Sequence, residues 1–529
     1  MHATTEKELL AVALALGASG VVGWSDAEAE LIRALAPERP ARGDVAAARV
    51  AIRNGDDPLG EVFCALRSPE ARRPSGATYT PAPIVVSMID WAAGEGAPAR
   101  VVDPGAGSGR FIVAAGRRFK AANLVAIELD PVAAIVARGH LAAAGLTDRA
   151  RVILGDYRNF RAERIDGRTL YLGNPPYVRH HQILPAWKEW LTLTARAHNL
   201  TASQLAGLHV HFFLATATNA TKDDVGAFIT SAEWLDVNYG SLVRELLLDG
   251  LGGLAIHLIE PTATPFEDAA TTAAITCFRL GSSPQAIRLR RVQSIAQLGK
   301  LEGGQTIRRE RLIEARRWTP LTRPARKIPA GYVELGELCR VHRGAVTGSN
   351  ATWVVGSTFA DLPERALFPT VTRARELFEA KSLLANVDHL RRVVDLPADL
   401  DVFNGDERKQ IARFLRSAER RGAAGGYVAR HRTAWWSVGL RAPAPILATY
   451  MARRPPVFVR NLGDARHINI AHGLYPRQEL PDGVLDRLAA HLCATVTLEG
   501  GRTYAGGLTK FEPREMERLP VPGLSLLTP

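Results

Sequence analysis

Long apolar runs are missing from this chain. No uninterrupted stretch reaches the roughly 18–20 residues that a membrane span needs. The opening MHATTEKELLAVALALGASG carries Glu6 and Glu8 and lacks the basic n-region of a secretory signal peptide. Cysteine is scarce. The four residues Cys64, Cys277, Cys339 and Cys493 lie far apart with no CxxC pair. That spacing argues against a disulfide framework and a cysteine zinc site, and fits a reducing cytoplasm. Acid is in deficit: 54 Asp and Glu face 66 Lys and Arg, a net charge of +12 and a pI near 9.8. A basic surplus invites a polyanionic partner, although Arg-rich, Ala-rich composition also follows from GC-rich coding. Internal repeats and low-complexity tracts are absent. The remaining composition, 47% hydrophobic and 23% charged, excludes a disordered or fibrous chain, and 529 residues suggest about two to four domains.

Residues 1–75 read as an N-terminal helical segment, in which residues 27–35 form an amphipathic stretch. RSPEARRPSGATYTP (68–82), rich in Pro, Gly and Arg, reads as a linker. From there short apolar runs alternate with helical patterns. Strands are expected at 100–103, 123–130, 151–156, 169–177, 226–232, 254–261 and 271–280. That alternation predicts a doubly wound α/β sheet. The connection between the sixth and seventh runs has no room for a helix, which predicts an antiparallel strand pair at the sheet edge. The sheet domain is expected to span 76–284. Beyond it, 285–529 reads as a separate C-terminal α+β region.

Chemistry concentrates at the strand ends. DPGAGSGR (103–110) follows the first strand and opens a helix. Gly105 and Gly107 let backbone approach a ligand, and the helix start offers N–H groups. The second strand ends in Glu128, a carboxylate placed to accept both hydroxyls of a ribose. The third ends in Asp156 and Tyr157, an acid for an exocyclic amine and a ring to cover an adenine face. Together they point to an adenosine cofactor. The fourth strand ends in Asn174-Pro175-Pro176-Tyr177. Two prolines fix the backbone. They would present the Asn174 side chain and the Pro175 carbonyl as a rigid pair of acceptors for one NH₂ group, with Tyr177 as a flat face for a planar ring.

In this order TYTPAP (78–83), DPGAGSGRF (103–111), Glu128, Asp156 and NPPY (174–177) resemble the amino-methylating DNA methyltransferases. With TYTP first and a long C-terminal region last, the arrangement looks like their gamma class, the TaqI-type adenine-N6 enzymes. HRGAVTGSN (342–350), FVRNLGDARHINIAHGLYPR (458–477) and GRTYAGGLTKFEPREMERLPVP (501–522) are similar to the target-recognition region of Eco57I-like methylases. The resemblance implies a Rossmann-like class I methyltransferase sheet with an added C-terminal α+β target-recognition domain. It further implies S-adenosylmethionine as cofactor, base flipping in double-stranded DNA and adenine N6 as target; Ser in place of Asn174 would lean toward cytosine N4. It places Thr80 near the methionine end of the cofactor, beside Asp103. It also calls for a second aromatic on the flipped base from the loop 260–272, where Phe266 is the aromatic present.

Arg179, His180 and His181 follow NPPY and could touch phosphate; with no third ligand placed, the two histidines are not read as a metal site. No metal is required, and no cysteine follows a proline, which excludes the nucleophile of cytosine-C5 transfer. Residues 421–445 carry Arg421, Arg430, Arg432 and Arg441, interleaved with Tyr427, Trp435 and Trp436 and no acid. Residues 451–477 carry five arginines against one acid, Asp464. Both segments suit a DNA-gripping surface. Three alternatives stay open: an NPPY enzyme acting on RNA adenine, one acting on protein glutamine, and a non-catalytic DNA-binding subunit. The roughly 75 residues before TYTP are too few for a fused nuclease. A partner restriction endonuclease is therefore expected to be separately encoded, in a bacterial or archaeal cytoplasm.

Overall fold

The computed structural model describes residues 3–67, 80–260, 272–322, 328–357, 359, 361–504 and 508–528. Its contacts divide the chain into two compact units, Met1–Ala325 and Arg326–Pro529.

The first unit opens with four helices, α1 (Glu6–Leu16), α2 (Asp26–Leu35), α3 (Arg42–Asn54) and α4 (Pro58–Leu66). Each start is written in the sequence. Thr5 caps α1, Ser25 and Glu28 form a reciprocal capping box on α2, and Asp57 precedes Pro58 at the start of α4. There follow α5 (Ala82–Gly94), β1 (Arg100–Pro104), α6 (Arg110–Arg118), β2 (Asn123–Glu128), α7 (Pro131–Ala143), β3 (Ala150–Leu154) and β4 (Thr169–Gly173). The unit continues with α8 (Pro185–Ala197), α9 (Leu208–Asn219), β5 (Val225–Ser231), α10 (Ser241–Leu248), β6 (Gly253–Ile259), β7 (Ala273–Arg279), β8 (Ala286–Val292) and β9 (Gln305–Arg308).

The nine strands form one sheet in the order β3-β2-β1-β4-β5-β7-β6-β8-β9. The pairs from β3 through β5 are parallel, and every residue of β1, β4 and β5 is buried. Burial on both faces is why these strands read as unbroken apolar runs. Ile84, Met88 and Ile112 pack on one face, and Phe213, Leu242 and Leu246 on the other. Chain order reverses between β1 and β4, so a crevice opens at their carboxyl ends, the usual ligand position in such sheets. No helix among the described residues is long and apolar enough to cross a membrane.

Two sequence expectations need correction. β7 is not part of an edge pair: it lies between β5 and β6, antiparallel to both, and the sheet continues through β8 and β9. The boundary expected at 284/285 moves to 325/326, because β8 and β9 complete the first unit. The N-terminal helices also belong to that unit. α1 lies on α7 at Gly139, where a Cβ would stand 2.8 Å from Ala13 Cα, too close for any other residue. The expected linker lies mostly outside the described residues.

A fully buried ion pair locks the helices down. Arg138 of α7 donates through Nε to Glu28 of α2 at 2.7 Å, and its other nitrogens reach the carbonyls of Val21, Gly23 and Val152. Removing one partner from such a network leaves an uncompensated buried charge. Glu28→Ala is therefore expected to lower unfolding stability by about 3–5 kcal/mol in a urea titration. A loss below about 1 kcal/mol, the level of an exposed pair, would show that the helices are held by other contacts.

The second unit centres on a five-stranded sheet in which Ala471–Pro476 pairs with Cys339–Arg343 and Ile446–Thr449, followed by Phe458–Asn461 and Leu383–Leu384. Helix Asp482–Thr495 covers it through Val484, Leu485, Leu488 and Leu492. A separate cluster gathers Trp353, Phe414 and Trp435 around helix Gly405–Arg420.

Candidate active site

The glycine turn after β1 has Gly105, Gly107 and Gly109 at φ of 72°, 56° and 87°. Side chains rarely adopt this left-handed region, so the turn depends on glycine. It brings the Gly107 N–H to Glu128 Oε2 at 2.7 Å, while Glu128 Oε1 accepts from the N–H groups of Leu129 and Asp130 at 2.8 and 2.9 Å. Burial outweighs these bonds and raises the Glu128 pKa. Asp103 lies beneath the turn, with Oδ2 accepting from the Ile112 N–H at 3.2 Å. Its Oδ1 is buried without a hydrogen-bond partner, and burial holds its pKa well above the ordinary aspartate value.

Asn174 follows β4 across the crevice. Its Nδ2 donates to Thr80 Oγ1 at 2.9 Å, and the Thr80 carbonyl accepts from Arg110 Nη1 at 2.8 Å. The TYTP and NPPY segments thus meet side chain to side chain, with Thr80 on Asn174. Pro176 packs toward Gly105, where an added Cβ would touch Pro176 Cδ and Phe212 at 3.5 Å. Pro175 is buried. Tyr177 is half-buried against the core, and burial pushes its hydroxyl pKa well up, so the phenol stays neutral.

Asp156 sits at the end of β3, half-buried, where Arg158 grips both its oxygens at 2.8 and 2.5 Å. An amine approaching Asp156 must share those oxygens. The Arg158 guanidinium also lies 3.7 Å from the centre of the Trp187 ring. Tyr157 departs from expectation. Its ring is buried against Phe212 and Phe160, and its hydroxyl meets Thr216 Oγ1 at 2.9 Å. The residue after the strand-end acid turns into the core, so the Tyr157 ring does not present a face to the crevice. Phe266 lies outside the described residues. Arg179 and His181 are exposed and His180 half-buried, with the two imidazoles edge to face at 5.5 Å.

Some residues of the site went unread in the sequence. Leu129 is 64% exposed between Glu128 and Asp130, an apolar surface beside the ribose-type acceptor. Its signal was a lone leucine flanked by acids at a strand end. Arg110 carried no signal beyond its place after the glycines.

In the second unit the segments 342–350, 421–445 and 458–477 come together. Ala345 bridges Ile468, and Arg432 Nη2 donates to the Val346 carbonyl at 2.6 Å. The arginines divide into two kinds. Arg421, Arg430, Arg441 and Arg453 are exposed. Arg460 is buried between Asp482 and Asp486, both at 2.6 Å, and Arg466 is held by the Leu440 and Arg441 carbonyls over the Phe368 ring. The count of five arginines against one acid over 451–477 therefore overstates the free positive charge, because Asp482 and Asp486 of a later helix neutralise Arg460.

The strand order, the glycine turn and Asn-Pro-Pro-Tyr at the switch point define a Rossmann-like methyltransferase. The family model for the C-terminal domain of Type II methyltransferase M.Eco57I matches residues 325–528. Type II methyltransferase M.XamI of Xanthomonas campestris pv. amaranthicola is 54% identical over 471 residues, 89% of this chain and 88% of that protein. M.AccI of Acinetobacter calcoaceticus is 24% identical over 87% of each chain. Over a shorter stretch of 89 residues, 16% of this chain and 36% of the relative, the tRNA1(Val) (adenine(37)-N6)-methyltransferase of Shewanella amazonensis is 44% identical. Among solved structures, the DNA complex of the Type IIL restriction-modification enzyme MmeI shares the fold at a TM-score of 0.57 and 14% identity, covering 86% of this chain and 70% of that one. The type IIG restriction endonuclease BpuSI does so at 0.51 and 15%, covering 99% and 71%. The chain belongs to the Eco57I-like family of Type II methyltransferases.

Methyltransferases of this family imply S-adenosylmethionine, and the donor set fits it. A Cβ on Gly107 or Gly155 would meet no heavy atom within 4 Å, so space is open over both loops. Glu128 offers acceptors for a ribose diol. The partnerless Asp103 oxygen suits the cationic methionine end. Asp103 also yields a prediction. A carboxyl with a raised folded-state pKa binds protons more tightly folded than unfolded. Its charged form therefore opposes folding, and stability falls as pH rises from the unfolded value toward the folded one. At neutral pH Asp103→Asn is expected to raise the melting temperature by about 2–4 °C, the equivalent of about 1 kcal/mol, while weakening S-adenosylmethionine binding in calorimetry. A lowered melting temperature would contradict the desolvation account.

Proposed function

We propose that the chain transfers a methyl group to N6 of adenine in duplex DNA after the base is turned out of the helix. The observation that carries this reading is the Asn174–Thr80 hydrogen bond at the β4 switch point. With Nδ2 given to Thr80, the amide is oriented so that its oxygen is turned away from Thr80 as an acceptor. Asn174 Oδ1 and the Pro175 carbonyl then accept the two protons of one exocyclic amine. That draws its lone pair out of conjugation with the ring and aims it along one line. S-adenosylmethionine, when bound, supplies the electrophilic sulfonium methyl on that line. Tyr177, half-buried, offers the base a ring face to stack on, and its neutral hydroxyl takes no part in proton transfer. Alignment carries much of the rate, and unstacking a base costs a few kcal/mol.

Duplex DNA as substrate is supported by membership among Type II methyltransferases and by the exposed Arg421, Arg430, Arg441 and Arg453 of the second unit, whose charge suits phosphate. N6 is supported by Asn rather than Ser before the prolines, and by likeness to an enzyme named for adenine N6.

Asn174→Ala is the test. With radiolabelled S-adenosylmethionine, the parent is expected to label adenine N6 in duplex DNA and not in RNA. The variant is expected to lose turnover by a factor of about 10²–10³ or more while keeping its cofactor affinity. Near-parental transfer by the variant would remove Asn174 from the chemistry, and label entering RNA alone would overturn the substrate.

A further inference from the structure

Asp57 is 3% exposed and lies in the N-terminal helices, far in sequence from every motif. One of its oxygens caps a helix, with Oδ1 accepting from the Gly60 N–H at 2.8 Å at the start of α4. The other points into the cofactor turn. Oδ2 accepts from Ser108 Oγ at 2.6 Å and from Arg110 Nε at 3.2 Å. His140 closes the group, its Nδ1 lying 3.2 Å from the Ser108 carbonyl and 3.6 Å from Asp57 Oδ1.

Two branches leave this carboxylate. Ser108 sits between Gly107, whose N–H holds Glu128, and Gly109, so its anchor fixes the turn that meets the cofactor. Arg110 carries the second branch through Nη1 to the Thr80 carbonyl, and Thr80 Oγ1 receives the Asn174 amide. An arginine fork can hold Asp57 and Thr80 at once; a lysine, with one nitrogen on a flexible stem, cannot do so in fixed geometry. Asp57 and Arg110 also line a cavity of about 330 Å³ with Val85, Ile89 and Asp90, so a shortened residue 57 gains space there.

We infer that Asp57 is a positioning residue for methyl transfer: it holds Ser108 in the cofactor turn and, through Arg110 and Thr80, orients the amide of Asn174. The inference rests on the proposed adenine-N6 function for its second branch only. It assigns the N-terminal helices a part in the site, delivered through one carboxylate.

Asp57→Ser separates this role from helix capping, because serine caps as well as aspartate but cannot span to Ser108 and Arg110. Single-turnover transfer at saturating cofactor and duplex DNA is expected to fall about 10–100-fold. Calorimetric affinity for S-adenosylmethionine should weaken about tenfold with the loss of a charge-assisted bond to the turn. The melting temperature should fall, because Arg110 loses its buried partner, while unfolding stays cooperative. Asp57→Asn keeps the cap and a partner for Ser108 but sets an NH₂ against Arg110. It should restore cofactor affinity and leave transfer slow. Should Asp57→Ser fail to fold, Arg110→Lys reads the second branch alone, and Arg110→Lys combined with Asp57→Asn should be no slower than the slower single variant. Transfer and affinity both unchanged in folded Asp57→Ser, or additive losses in the double variant, would overturn the inference. A parent that binds S-adenosylmethionine but labels no adenine in DNA refutes the proposed function instead, and the calorimetric comparison still decides the Ser108 branch.

Discussion

The hydrogen bond from the Gly107 N–H to Glu128 ties the glycine turn after β1 to the end of β2, and the candidate cofactor residues lie around it. It needs three left-handed glycines in five residues, a strand end on either side and a half-buried carboxylate. Asp103 supports the turn from below at the cost of its own desolvation. Two carboxyls with raised pKa values, Asp103 buried with a partnerless oxygen and Glu128 half-buried, make a locally destabilising arrangement. Such arrangements persist where a ligand completes them.

The N-terminal helices make that arrangement tolerable. Arg138 and Glu28 fasten them to α7, and Gly139 lets α1 approach closely enough for the contact to be dense. The same body then projects Asp57 onto Ser108 and Arg110. Arginine is the recurrent tool, with a different job at each place: it neutralises a buried acid at 138, grips Asp156 at 158, bridges two segments at 110 and fastens sheet to helix at 460. The +12 surplus is therefore not a measure of DNA-facing charge. Among the described residues of the second unit, the arginines left exposed are the ones a phosphate can reach.

The seven strands before 285 were legible because each is an apolar run closed by a polar or glycine-bearing end, and the motifs at those ends were legible for the same reason. Asp103, Gly105, Gly107, Glu128, Asp156 and Asn174 all stand at strand ends around one crevice, and Thr80 joins them through Asn174. Neighbour order was not legible. Nothing local to 273–279 says that it enters between β5 and β6, and the basic run RLRRV within β8 reads as surface although it pairs with β6. The direction of Tyr157 depends on Phe212 and Thr216, more than fifty residues away. The neutralisation of Arg460 depends on acids in a later helix. Asp57 before a proline looks like a helix cap, and its second oxygen becomes informative only when Ser108 is seen beside it.

If the Asn174 amide and the Pro175 carbonyl select an exocyclic amine of adenine within a defined duplex sequence, sequencing single DNA molecules from a methylation-free host that expresses the chain should find N6-methyladenine at one discrete sequence motif across the genome. N4-methylcytosine at such a motif, or methylated adenines scattered without a common sequence, would contradict it.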